Sequence, residues 1–157
     1  MAGELAGVIG KIKYGLLLWM CQGVFVVLWG QDSSFVEYRF ADGAVSSRGM
    51  LVGGVPSGFW TSFNEEGMRK SEGNWLSGEL VGEWVFYDGQ GRVQTTLNYS
   101  IGRKDGLEQQ WDTLGVLIRS LPWKQDTLNG WEIGYNPNGS ELERIPWNSG
   151  QKEGIAL

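Results

Sequence analysis

The chain has 157 residues, with 9 tryptophans and 25 glycines, no histidine and a single cysteine. Its formal net charge of −5 opposes long-range attraction to nucleic acid or to an anionic membrane. With no histidine, and with Cys21 inside an apolar run, zinc and haem sites and Cys-His or Ser-His catalysis are excluded by inventory.

The chain opens with Lys11 and Lys13, followed by Tyr14 to Gly30 without a charge. A basic start, an apolar run and a small residue before Gln31 predict a signal peptide over residues 1–30, cut after Gly30. The alternative is a retained N-terminal membrane anchor, for which 17 residues is at the short end of the ~17–25 that a spanning helix needs. Leu18-Trp19-Met20 before Cys21 lacks the small residues of a lipid-attachment site. Either outcome places the remainder outside the cytoplasm: periplasmic, envelope-associated or secreted. Beyond Gly30 there are 11 basic and 17 acidic residues, a net charge of −6, and no cysteine.

Residues 31–57 read as a degenerate capping unit. Gly43 stands 24 residues before Gly67, Leu51 before Trp75 and Gly54 before Gly78, while Ser34 takes the place of a leading glycine. From residue 58 the period is regular. Gly58, Gly82, Gly106 and Gly130 are each 24 residues apart, as are Phe63, Tyr87, Trp111 and Tyr135, and Trp75, Tyr99, Trp123 and Trp147. A fixed period in this range marks an array of supersecondary units that bury one another. Four units follow, at 58–81, 82–105, 106–129 and 130–153, with a C-terminal stub.

Within one unit, Trp84 to Tyr87 is an aromatic and β-branched run, Asp88-Gly89-Gln90-Gly91 a turn, and Arg92 to Tyr99 a second strand. Each unit is therefore predicted to be one β-hairpin. The fold class is all-β: an elongated, twisted antiparallel sheet preceded by a signal or anchor helix. Side chains two apart share a face of a strand. On that basis Phe63, Tyr87, Trp111 and Tyr135 are expected to share a structural ladder with Trp75, Tyr99, Trp123 and Trp147. The opposite face carries Trp60, Trp84 and Phe86 early, but Glu108, Gln110 and Glu132 later. Those three aromatics are the candidate binding face, unless residues 31–57 fold over Trp60 and Trp84. Pro122 and Pro146 require an edge, a bulge or solvent at their missing donors.

Carboxylate pairs such as Glu65-Glu66 or Glu108 with Glu132 read as surface charge, because a thin sheet supplies no deep pocket to raise a pKa. No catalytic residue, cofactor or metal ligand is assigned, and the chain is expected not to be an enzyme.

Gly82, Trp84, Tyr87, Gly91, Tyr99, Gly102 and Gly106 resemble the pattern of MORN-type repeats, closest to the bacterial variant of YwqK-type, antitoxin-like proteins. The resemblance covers about residues 43–157. It departs at Glu108 and Glu132, where the pattern has tryptophan, and at Asp126, where it has a turn glycine. The resemblance implies a hairpin array used for binding, in eukaryotes often of membrane lipids or partner proteins. Three readings stand at this point: an exported binding or scaffold module engaging a protein, an antitoxin or immunity protein, and a cell-wall or glycan-binding module.

Overall fold

A computed structural model describes residues 8–11, as backbone only, and residues 32–154. The apolar run at 14–30 and its expected cleavage point or anchor helix lie outside the described residues. Thirteen strands form one open, antiparallel sheet, and no helix occurs among the described residues. In chain order they are β1 (Val8–Lys11), β2 (Ser33–Arg39), β3 (Val45–Val52), β4 (Val55–Phe63), β5 (Arg69–Leu76), β6 (Glu79–Tyr87) and β7 (Val93–Ser100). Then come β8 (Arg103–Trp111), β9 (Leu117–Lys124), β10 (Thr127–Leu128), β11 (Gly130–Tyr135), β12 (Glu141–Asn148) and β13 (Gln151–Lys152). Each strand pairs with its neighbours in sequence. The one exception to the simple path is β10, which pairs with β9 beside β11.

Two kinds of turn alternate. On one edge are tight two-residue turns at Gly53-Gly54, Ser77-Gly78, Ile101-Gly102, Gln125-Asp126 and Ser149-Gly150, with both residues at positive φ. That backbone matches the right-handed twist of the flanking strands. Asp126 adopts it at φ 64°, so the missing glycine does not change the turn. Its amide donates to the Lys104 carbonyl (2.9 Å), and its carboxylate accepts from the Lys104 amide (2.8 Å). On the other edge, the turns closed by Gly43, Gly67, Gly91, Gly115 and Gly139 each donate that glycine's amide to the carbonyl three residues back. Asp88 and Asp112 cap two of them with side-chain oxygens that accept two backbone amides apiece. The backbone amide of Arg92, above all, holds the Asp88 carboxyl below its ordinary pKa.

The leading glycines Gly58, Gly82 and Gly106 lie three residues inside β4, β6 and β8 rather than at the equivalent turn positions that their spacing suggests, all at positive φ. There the ladder skips. Arg48 pairs with Thr61 and Met50 with Ser57, so Gly49 alone stands opposite residues 58–60. The skip recurs between Glu72 and Asn74 and between Leu97 and Tyr99. Glycine is needed because an L side chain at this φ is strained. The resulting bulge re-aims the residue two positions on. Pro122 pairs with Leu107 of β8, and no ladder partner is recorded for it on the β11 side, so its missing donor falls at an interruption, as expected.

Cross-strand partners share a face, and the registers reverse part of the expected assignment. Gly58 pairs with Trp75 and Trp60 with Gly73; Gly82 pairs with Tyr99 and Trp84 with Leu97. Trp75, Tyr99, Trp123 and Trp147 therefore lie on the same face as Trp60 and Trp84, hereafter the indole face. Phe63, Tyr87, Trp111 and Tyr135 lie on the other. The expected single ladder is two half-buried series on opposite faces. What is buried is a different row, crossing the strands at 24-residue steps. Val36, Trp60, Trp84, Glu108 and Glu132 are 5, 7, 7, 8 and 5% exposed.

Candidate binding surfaces

The buried row shows why the expected binding face is not an open patch. Trp60 lies flat on Gly49: a Cβ added to that glycine would come within 2.4 Å of three indole atoms. Trp84 covers Gly73 in the same way. Each indole N–H donates to a backbone carbonyl of the strand beneath, Trp60 to Met50 (3.0 Å) and Trp84 to Asn74 (3.1 Å). Tyr38 stacks against Trp60, while Trp75 and Tyr99 pack edge-on to Trp84 and Phe86 tilts against it. Residues of the 31–57 segment thus cover Trp60, and Trp84 is covered by later strands. Phe86 is half-buried. Trp60 and Trp84 are packed parts of the fold rather than exposed anchors.

From β8 onward the same row changes chemistry. Glu108 and Glu132 occupy the indole slots, and Leu97 and Leu121 occupy the glycine slots. The carboxylates are not stranded. Glu108 accepts the Trp123 indole N–H (2.9 Å) and the Gln110 amide (2.7 Å), with Lys104 at 3.5 Å. Glu132 accepts the Trp147 indole N–H (2.7 Å) and meets Arg119 at 3.3 Å. Lys104 also sits over the Trp123 ring at 4.3 Å. These contacts offset the cost of removing the carboxylates from water. Tyr99, at the junction, has its pKa raised by burial and then by the nearby Glu108 and Asp126 charges.

Between β2 and β7 the registers place no charged residue on the indole face. A groove of about 330 Å³ opens there, lined by Tyr38, Leu51, Pro56, Trp60, Trp75 and Trp84 with the serines at 47, 62 and 71. Ser62 and Ser71 face each other with their hydroxyls 2.7 Å apart. These serines create the room; at the position 24 residues after Ser62 stands Phe86.

The exposed apolar surface is on the opposite face, away from Trp60, Trp84 and Phe86. Phe35 is 46% exposed, Phe59 55%, Val55 43% and Leu76 59%. They come from β2, β4 and β5, and Met50 and Val52 of β3 pair with Phe35 and Val55. Glu79 and Glu83 border this patch, and neither makes an ion pair among the described residues. Further along, Leu107 and Trp131 are also about half exposed, at 48 and 46%. Three aromatics of this face carry cations: Arg48 lies over Phe63, Arg69 over Tyr87 and Arg144 over Trp131. Tyr87 donates to Glu72, and burial together with that carboxylate raises its pKa.

A repeating signal within the chain could have located the buried row. Positions 49, 73, 97 and 121 read Gly, Gly, Leu, Leu, while 60, 84, 108 and 132 read Trp, Trp, Glu, Glu. The large ring and the vacant neighbour appear and disappear together. Among the described residues no group of three or more histidine, cysteine, aspartate or glutamate side chains could hold a metal ion. No protein-family model matches the chain, and no curated protein matches its sequence.

Proposed function

We propose that this chain is a non-enzymatic, exported binding or scaffold module of the cell envelope, built from 24-residue MORN-like hairpins in an elongated twisted sheet, and that its ligand is a protein. The observation that carries this reading is the patch of Phe35, Phe59, Val55 and Leu76 on the face opposite the indoles. Each exposed phenylalanine there offers on the order of 100 Å² of apolar surface. An apolar patch of ~300–600 Å² is the largest that a typical monomer exposes, and such patches are often functional. The field is flat and bordered by Glu79 and Glu83, which suits a partner that brings apolar side chains with a basic rim. The glycan reading needs open ring faces, and Trp60 and Trp84 are packed against the sheet.

The test is capture from envelope extract with the full chain and with a Phe35→Ser/Phe59→Ser variant, followed by cross-linking and mass spectrometry. A partner cross-linked at β2 or β4 and lost with the variant supports the reading. The same proteins captured equally by both forms would exclude the patch.

A further inference from the structure

The groove on the indole face is separate from the patch and has a chemistry of its own. It owes its room to small residues: serine stands at position 62 where the next unit has Phe86. Its lining has no carboxylate, lysine or arginine. A charged ligand entering it would lose hydration without gaining a counter-ion. Its rings and aliphatic side chains favour an apolar body. The two serine hydroxyls, bonded to each other at 2.7 Å, keep acceptor lone pairs and one donor between them for a polar substituent. Volume sets the size. A cavity of ~150 Å³ holds benzene, and small-molecule sites begin near ~300 Å³. The space of about 330 Å³ therefore admits one ring with a short substituent.

We propose that this groove is a binding site for an uncharged, ring-sized small molecule bearing a hydroxyl or amide group. The ring packs against Trp75 and Leu51, and the polar group meets the Ser62–Ser71 hydroxyl pair. Selectivity comes from the absence of charge in the lining, so neutral ligands bind and their ionised isosteres do not.

The probe is p-cresol, titrated into the full chain by calorimetry while indole N–H resonances are followed by NMR. Saturable binding is expected, with shifts at Trp60, Trp75 and Trp84 and none at Trp123 or Trp147. 4-Methylbenzoate and 4-methylbenzylammonium should bind at least tenfold more weakly. Ser62→Phe, which installs the residue found 24 positions on, should weaken p-cresol at least tenfold with little change in melting temperature. Should that variant fold poorly, Ser71→Ala decides: it should weaken p-cresol several-fold and leave toluene unchanged. Equal affinity for the charged isosteres, shifts spread over all indoles, or undiminished binding by a folded Ser62→Phe would overturn the proposal. So would failure of p-cresol to bind while Ser62→Phe lowers capture of the protein partner, because the groove would then hold a partner's side chain.

Discussion

The indole face is two surfaces on one backbone. From β3 to β6 its central row alternates a glycine with an indole; from β7 to β12 it alternates a leucine or isoleucine with a carboxylate. Both halves bury that row to the same degree, between 5 and 8% exposure for the larger slot. The first half fills its volume with a ring lying across a bare backbone. The second places the bulk on the neighbouring strand and leaves a smaller, polar slot, which the tryptophan of the flanking series satisfies through its N–H. One slot can therefore be closed by packing or by hydrogen bonding, provided that two adjacent strands change together. The charge-free half is also the half with the groove.

The comparison can be broken most severely by Trp84→Ala. This variant removes a packed ring from over Gly73 and should cost about 3–5 kcal/mol in chemical denaturation. Trp111→Ala, on the other face and only half-buried, should cost clearly less; equal losses would mean that the row is not the core. Next comes a double-mutant cycle. Gly73→Leu alone drives its side chain into the Trp84 ring and should cost about 1–3 kcal/mol or more. Adding Trp84→Glu, which recreates the arrangement at 97 and 108, should return at least ~1 kcal/mol as coupling. Strictly additive losses would refute the paired exchange.

A smaller effect tests the polar half. Trp147→Phe keeps a ring but removes the donor to Glu132, leaving Arg119 as its remaining partner. A loss of about 1–3 kcal/mol is expected. If the variant is neutral, the indole N–H contributes nothing to the slot. The smallest effect lies at the junction. The folded pKa of Tyr99 is raised, so its contribution to stability is full below the unfolded tyrosine value and is lost as pH rises through the folded one. Glu108→Gln should lower the Tyr99 midpoint in an NMR titration without returning it fully to the ordinary value, because burial is the larger cause. An unmoved midpoint would show that the two halves do not communicate through this pair.

The glycine and aromatic spacing made the hairpins and both sets of turns legible. Alternation also held within single strands: Phe59 and Phe63 do lie opposite Trp60. What it could not supply was the phase between strands. That phase depends on turn length and on the skipped residue at Gly49, Gly73 and Asn98, which no count of two reveals. The leading glycines carried the missing information, since glycine at this place signals a positive-φ bulge rather than a turn. Exposure was misjudged for the same reason. The bulge lays Trp60 across Gly49, and Phe59 is left in solvent. The swap of ring for carboxylate at 108 and 132 was visible in the sequence, but its consequence depended on recognising the glycine-to-leucine change on the adjacent strand.

The tight turns have a mechanical consequence. Gly78 donates its amide to the Pro56 carbonyl, Gly102 to Leu80, Asp126 to Lys104 and Gly150 to Leu128, so each turn is fastened to the strand one hairpin earlier. A load applied to the C-terminal edge meets the Leu128 fastening first and reaches the next only after the first has opened. The sheet should therefore yield under tension as a series of similar events rather than in one rupture. Each would release about 80 Å of chain, the extended length of 24 residues, so that the sheet would lengthen stepwise while its remaining hairpins stay folded.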